Sequence, residues 1–183
     1  MVRLRGKSVV SPTPHSPLTT LEWSESTTQV VLGLGSNLGD SRQIVEDAIK
    51  ALEEVLHELR RASLYETEPM YVTDQNRFIN TAVSGFYPGE GDLQSARELL
   101  AAVQNIEKNF GRDRSSERRW GERYLDIDIL LFGNLVVKEE DLEIPHPRLK
   151  ERQFALEPLL ELFPEAQDPE TGYFYKNYLS ELS

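Results

Sequence analysis

No cysteine occurs anywhere in the 183 residues, which excludes disulfides, thiolate metal sites and a cysteine nucleophile and weakly favours a reducing compartment. Long apolar runs are missing too. The longest, such as Ile129 to Phe132, fall far short of the ~20 residues that a membrane-spanning helix needs, and the N-terminus lacks the continuous apolar segment of a signal peptide. Positive charge is scarce: 20 Lys and Arg stand against 31 Asp and Glu, for a formal net charge of -11. Such a surface repels a nucleic-acid backbone, so an anionic ligand must be met by a local basic cluster. These deficits point to a soluble, cytoplasmic protein with neither a membrane nor a nucleic acid as partner. The length fits one domain with some tail, and no internal repeat is visible.

Residues 1–28 hold three of the ten prolines, many Ser and Thr, and no persistent apolar period, which is how a disordered leader reads. Arg3, Arg5 and Lys7 make its start faintly basic, but Glu22 and Glu25 argue against an organelle transit peptide. Residues 29–183 are expected to form one domain. Val30, Val31, Leu32 and Leu34 read as a short buried strand ending in the turn-rich Gly35 to Asp40. A helix follows on Val45, Ala48, Ile49, Leu52, Val55, Leu56 and Leu59, with Asp40 as N-cap and Gln43 completing a capping-box pattern. Arg61 to Glu66 reads as a second strand and Phe78 to Tyr87 as a third, ended by Pro88-Gly89. A second helix starts near Asp92, carries Leu93, Ala96, Leu99, Leu100, Val103 and Ile106 on its inner stripe, and ends at Gly111. Leu125 to Phe132 is the fourth strand. The order βαββαβ is that of a ferredoxin-like α+β sandwich, an antiparallel sheet with both helices on one face and the other face open for a ligand. Beyond it come an extended Ile144-Pro145-His146-Pro147 turn, a short helix from Phe154 to Leu162 interrupted by Pro158, and a helical C-terminal tail.

Chemistry concentrates in the fourth strand. Alternation puts Leu125, Ile127, Ile129 and Leu131 on one face and Asp126 and Asp128 together on the other, about 7 Å apart along the strand. Two carboxylates so placed suit a hard cation such as magnesium; the competing reading is a solvated strand face, although aspartate is depleted in strands and like charges on one face repel. Just upstream, Arg112, Arg114, Arg118, Arg119 and Arg123 reverse the local sign of the chain. Beside a carboxylate-held metal, arginines suit a polyphosphate, against the alternative of a merely solvated loop. Trp120 within that loop is either a core anchor or a stacking lid for a planar ring. The glycines from Gly33 to Gly39 fit neither a dinucleotide fingerprint nor a phosphate-binding loop. They serve either a simple strand-to-helix turn or a close approach of backbone to a ligand. His146, held between two prolines, either contacts a phosphate or sits at the surface.

Four stretches together carry a family resemblance: Leu-Gly-Ser-Asn-Leu-Gly-Asp at 34–40, Tyr65 through Asn80, Arg119 to Gly133, and Ile-Pro-His-Pro-Arg-Leu with Arg152 and Phe154 beyond it. The chain resembles the 6-hydroxymethyl-7,8-dihydropterin pyrophosphokinases of folate biosynthesis over about residues 30 to 165. The resemblance implies transfer of pyrophosphate from ATP to the pterin alcohol with release of AMP. It implies two magnesium ions on Asp126 and Asp128, and Arg112 and Arg123 closing over the transferring group. It implies a pterin pocket at Thr67, Glu68 and Met70, with Asn80 reading the amide edge, Phe78 and Phe154 sandwiching the ring, and Trp120 closing the site. Gln104, Glu107, Arg114, Ile129, His146 and Arg152 match positions that contact ATP. Asp141 and Glu143 stand where some members carry a basic and a hydroxyl residue, and the arginine loop is one residue longer than in the best-known members. A monomer is expected.

Two other classes compete. An RNA-binding module on the same scaffold is disfavoured by the acidic charge and by a third strand, Phe78 to Val83, without the aromatic pattern such modules need. A metal-dependent phosphohydrolase or nuclease would share the aspartate pair and use water as its nucleophile.

Overall fold

The computed structural model describes residues 26–69, 76–111 and 124–182. Its spine is β1 (Thr27–Ser36), which pairs antiparallel with β4 (Phe78–Pro88) on one side and β5 (Asp126–Phe132) on the other. β2 (His57–Arg61) and β3 (Tyr65–Thr67) both lie antiparallel to β4, so the strand order is β2-β4-β1-β5 with β3 continuing the same edge. Alternating residues of β1, Val30, Leu32 and Leu34, turn to one face and meet α1 (Ser41–Leu52) and α2 (Leu93–Asn109) in a core that also takes Val83, Ile127 and Phe132. This is the ferredoxin-like α+β arrangement expected from the order of elements.

Helix starts follow the sequence. The carboxylate of Asp40 accepts from the Gln43 N–H at 3.1 Å, and that of Asp92 accepts from the Ser95 N–H at 2.9 Å. The Gln43 carboxamide nitrogen donates forward along α1 to Asp47 at 3.1 Å. α1 also stops at Leu52, earlier than its apolar stripe. Val55 and Leu56 still close turns onto the carbonyl of Leu52, but from His57 the chain supplies hydrogen bonds to the edge of β4, and Leu59 lies in β2. The expected second strand is therefore two short ones, with Ala62 to Leu64 between them. At the end of α2, Gly111 takes φ +86, a left-handed conformation that a β-carbon would oppose.

The other face of the sheet is only half open. α3 (Gln153–Leu162) and α4 (Tyr175–Leu182) cover part of it, burying Ala155, Leu156, Leu159, Leu162 and Tyr175 against Val31, Ala62, Ala82 and Leu130. Pro158 sits inside α3 instead of interrupting it; burial of the flanking residues outweighs the ~3 kcal/mol that an interior proline costs. Alternation along β5 also breaks. Val31 pairs with Leu131 and Leu32 with Ile129, which leaves Leu130 as a bulge and carries Leu131 to the α3 side, away from Ile127 and Ile129. A small ladder, β6 (Val137–Lys138) with β7 (Glu143–Ile144), precedes a short 3-10 turn at Leu149–Glu151. Among the described residues no helix is long and apolar enough to cross a membrane.

A buried carboxylate ties these C-terminal elements together. Asp168 is 0% exposed and accepts from Lys150 Nζ at 2.6 Å, the Thr171 hydroxyl at 2.8 Å and the Glu170 N–H at 3.0 Å. Burial pushes its carboxyl up, but the Lys150 ammonium and these donors outweigh it and hold it below the usual carboxylate range. Asp168→Ala should therefore cost about 1–3 kcal/mol at neutral pH by leaving the Thr171 hydroxyl, the Glu170 N–H and the partly exposed Lys150 without their acceptor. Because the folded-state value is depressed, the contribution is present above pH ~4 and lost as the pH falls through it, so the gap between wild type and variant in thermal melts should narrow below pH ~4. A gap that is absent, or constant from neutral pH to pH ~3, would contradict this role.

Candidate active site

Three strands supply the floor of one cleft because the register of β1 aligns their residues. Gly35 pairs with Asn80 on β4 and with Asp126 on β5; Gly33 pairs with Ala82 and Asp128. Directly paired residues share a face, so Asn80, Asp126 and Asp128 all point to the half-open side with the two glycines between them. The glycines are required by space. A β-carbon on Gly35 would lie 2.9 Å from Asn80 Oδ1, and one on Gly33 would press on the Leu130 side chain at 3.3 Å. The resulting cleft encloses about 860 Å³, open solvent included, and is lined also by Thr67, Glu68, Phe78, His146, Arg152 and Phe154.

One part of the cleft combines an oriented carboxamide with two aromatic side chains. Asn80 is 5% exposed, and its carboxamide nitrogen donates to the Thr67 hydroxyl at 2.7 Å, which fixes the plane of the amide. Phe78, at the start of β4, and Phe154, in the first turn of α3, bring two half-buried aromatic rings to the same space. The Arg152 guanidinium lies 5.5 Å from the centre of the Phe154 ring.

The other end carries charge. Asp128 Oδ2 lies 3.5 Å from both His146 Nε2 and Arg152 Nη1. His146 reaches this point through the bulge in β5, whose Leu130 carbonyl accepts from the His146 N–H at 3.1 Å. Its Nδ1 accepts from the Arg148 N–H at 3.1 Å, which places the proton of the neutral ring on Nε2, toward Asp128. Burial, and then the nearby Arg152 charge, push this imidazole down to about 4, so it is neutral at physiological pH. Arg152 Nε is buried without a partner among the described residues, a donor in reserve for an anion. Asp126 and Asp128, both half-buried, present hard oxygen ligands to the same space. Two carboxylates that leave room for substrate oxygens fit magnesium, which is commonly bound by one or two carboxylates plus phosphates. Among the described residues no group of three or more His, Cys, Asp or Glu gathers into an all-protein metal cage.

The structure thus brings Thr67, Glu68, Phe78, Asn80, Asp126, Asp128, His146, Arg152 and Phe154 into one cleft. Three expected residues do not line it. Gln104 is exposed on α2, and the Ile129 side chain packs in the helix-covered core. Glu107 is 1% exposed and accepts from the Ile127 N–H at 2.9 Å, holding β5 between its two aspartates. Met70, Arg112, Arg114, Trp120 and Arg123 lie outside the described residues. Asp141, expected near the nucleotide, is engaged by Arg97 at 2.8 Å. Sequence reasoning missed the Thr67 hydroxyl as the partner of Asn80 and gave no part to Leu130, although alternation along β5 sets it on the face of the two aspartates.

Comparison with known proteins agrees with this geometry. Residues 31–164 match the family described as 7,8-dihydro-6-hydroxymethylpterin-pyrophosphokinase (HPPK). The chain is 37% identical over 146 residues to the 2-amino-4-hydroxy-6-hydroxymethyldihydropteridine pyrophosphokinase of Bacillus subtilis, covering 77% of this chain and 81% of that protein. It is 40% identical over 158 residues to the mitochondrial folate synthesis bifunctional protein of Pisum sativum, covering 85% of this chain but only 29% of that one. The chain therefore spans less than a third of the length of the pea protein. Among solved structures, wild-type HPPK-DHPS of Plasmodium falciparum superposes with a TM-score of 0.66 at 16% identity, covering 85% of this chain and 45% of that one, a likeness of fold. With the family pattern spanning residues 31–164 and the B. subtilis relative matched along most of its length, the chain belongs to the 7,8-dihydro-6-hydroxymethylpterin-pyrophosphokinase family.

Proposed function

We propose that this protein transfers a pyrophosphoryl group from ATP to 6-hydroxymethyl-7,8-dihydropterin, giving the pterin diphosphate and AMP in tetrahydrofolate biosynthesis. The observation that carries the reading is the row Asn80, Gly35, Asp126, which joins a carboxamide to a carboxylate pair in one cleft that Phe78 and Phe154 also line. In this reading Phe78 and Phe154 stack on the pterin and Asn80 reads its amide edge, with Thr67, Glu68 and Met70 lining the pocket and Trp120 closing it. Asp126 and Asp128 would hold two magnesium ions on the ATP phosphates, where the metal would neutralise charge on the transferring group. Arg112 and Arg123 act on that group as it transfers, and Arg114, His146 and Arg152 bind ATP; Gln104, Glu107 and Ile129, whose side chains do not line the cleft, act from α2 and β5, Glu107 by holding β5 in place.

The chain needs to position far more than to react. The pterin hydroxyl oxygen bonds to the β-phosphorus as the bond from that phosphorus to the α–β bridging oxygen breaks, so AMP leaves and no protein nucleophile is required. Neutral His146 offers an Nε2–H donor without adding a positive charge that would tie up Asp128. The same proposal takes residues 29–183 as a single catalytic domain that acts as a monomer. It sets the protein in the cytoplasm.

The decisive assay is AMP formation from ATP by the full chain with magnesium, with and without the pterin. AMP should appear only when both are present; AMP released equally without the pterin would instead identify a phosphohydrolase using the same aspartates. Gly35→Ala tests the glycine floor. A β-carbon 2.9 Å from Asn80 Oδ1 must displace the amide, so the KM for the pterin should rise about tenfold while the KM for ATP changes little. An unchanged pterin KM in the folded variant would show that Asn80 does not set recognition.

A further inference from the structure

The wall of the cleft opposite the aspartates is assembled from two elements far apart in sequence, β3 with Thr67 and α3 with Phe154, and one side chain joins them. Glu161, in the last turn of α3, accepts from the Ser63 N–H at 3.0 and 3.1 Å through its two oxygens, from the Ser63 hydroxyl at 2.9 Å and from the Tyr65 hydroxyl at 2.7 Å. A carboxylate that collects three donors makes charge-assisted bonds, stronger than neutral ones. Burial, and then the adjacent Glu161 charge, push the Tyr65 phenol up to about 12, so it remains a donor.

The segment so gripped is the interruption between β2 and β3, where the regular ladder with β4 lapses and the Ala62 N–H still donates to the Ala82 carbonyl at 2.9 Å. From the sheet side its carbonyls are held by Thr81, whose hydroxyl donates to Ala62 O at 3.1 Å and to Ser63 O at 3.0 Å. From the helix side it is held by Glu161. Two residues beyond Tyr65 stands Thr67, whose hydroxyl orients Asn80. Seven residues before Glu161 on α3 stands Phe154; a separation of seven is close to two full turns, about 10.5 Å, so both side chains leave the same face of the helix.

We infer that Glu161 is a positioning residue for the pterin pocket, setting the gap between the Phe154 ring and the Thr67–Asn80 pair by clamping the start of β3 to α3. This role rests on the pterin reading above. The hydrogen bonds of Glu161 go to Ser63 and Tyr65, which do not line the cleft, and its effect passes through them into β3.

The test uses the full-length protein. Dissociation constants for 6-hydroxymethyl-7,8-dihydropterin are measured by its fluorescence with magnesium and a non-hydrolysable ATP analogue present, beside steady-state KM values for both substrates and thermal melts. Glu161→Ala should raise the pterin Kd and KM about five- to tenfold with the ATP KM within about twofold of wild type. Glu161→Gln, which keeps an acceptor for Ser63, should recover most of the loss, and Tyr65→Phe should raise the pterin Kd about two- to threefold. A purely structural tie would lower the melting temperature and leave the pterin Kd at the wild-type value, and that result overturns the inference, as does a parallel rise in both KM values. If Glu161→Ala does not fold, a wild-type pterin Kd in Tyr65→Phe overturns it equally. Wild-type protein that fails to bind the pterin would instead overturn the functional reading itself, and this role with it.

Discussion

The register of β1 between β4 and β5 is the constraint on which the rest depends. It places Gly35 between Asn80 and Asp126, and Gly33 between Ala82 and Asp128. Side chains alternate along every strand, so a slip of one residue in β1 would turn Val30, Leu32 and Leu34 out of the helix-covered core and carry the glycines into it. The core thus enforces the register, and the register makes the site. A strand that buries one face against α1 and α2 can leave its other face nearly bare where a ligand must lie.

Local irregularity then supplies what regular strands cannot. The bulge at Leu130 frees a carbonyl at the edge of β5, and that carbonyl anchors His146 beside Asp128. Glu107 satisfies the Ile127 N–H from the other layer, so the strand bearing both aspartates is held from α2 and from the 143–146 segment together. The interruption between β2 and β3 is fixed by Thr81 and Glu161, and α3 brings Phe154 to the same cleft. Each of these departures from the regular sandwich borders the cleft, as expected where a fold holds a site.

Much of this was legible in the residues. The apolar period of both helices, the caps at Asp40 and Asp92, and the alternation through Asp126 and Asp128 are local signals, and local physics decided them. What the sequence left hidden is non-local. Leu131 lies on the unexpected face because a bulge depends on the partner strand; α1 ends before its apolar stripe because the edge of β4 recruits the chain from His57 onward. Pro158 stays within its helix because packing against the sheet outweighs propensity. Composition also did not reveal that the C-terminal helices close half of the open face and so turn a flat sheet into a cleft. The polar partners of Asn80 and Ser63 are 13 and 98 residues away, beyond any pattern a single chain displays.

Electrostatically the described part of the cleft shares the acidic balance of a protein of net charge -11, with Glu68, Asp126 and Asp128 against Arg152. Two carboxylates face a neutral imidazole and a largely buried guanidinium, and the carboxamide of Asn80 lies on β4, separated from them by β1 alone. The central claim is that both ends of this cleft are occupied at once, a pterin at Asn80 and a metal-bound nucleotide at the aspartates. A crystal structure with the pterin, a non-hydrolysable ATP analogue and manganese in place of magnesium tests it most directly. The account predicts anomalous manganese peaks coordinated by Asp126 and Asp128, with the pterin between Phe78 and Phe154 and bonded to Asn80. Manganese bound elsewhere, or a pterin outside this cleft, would contradict it.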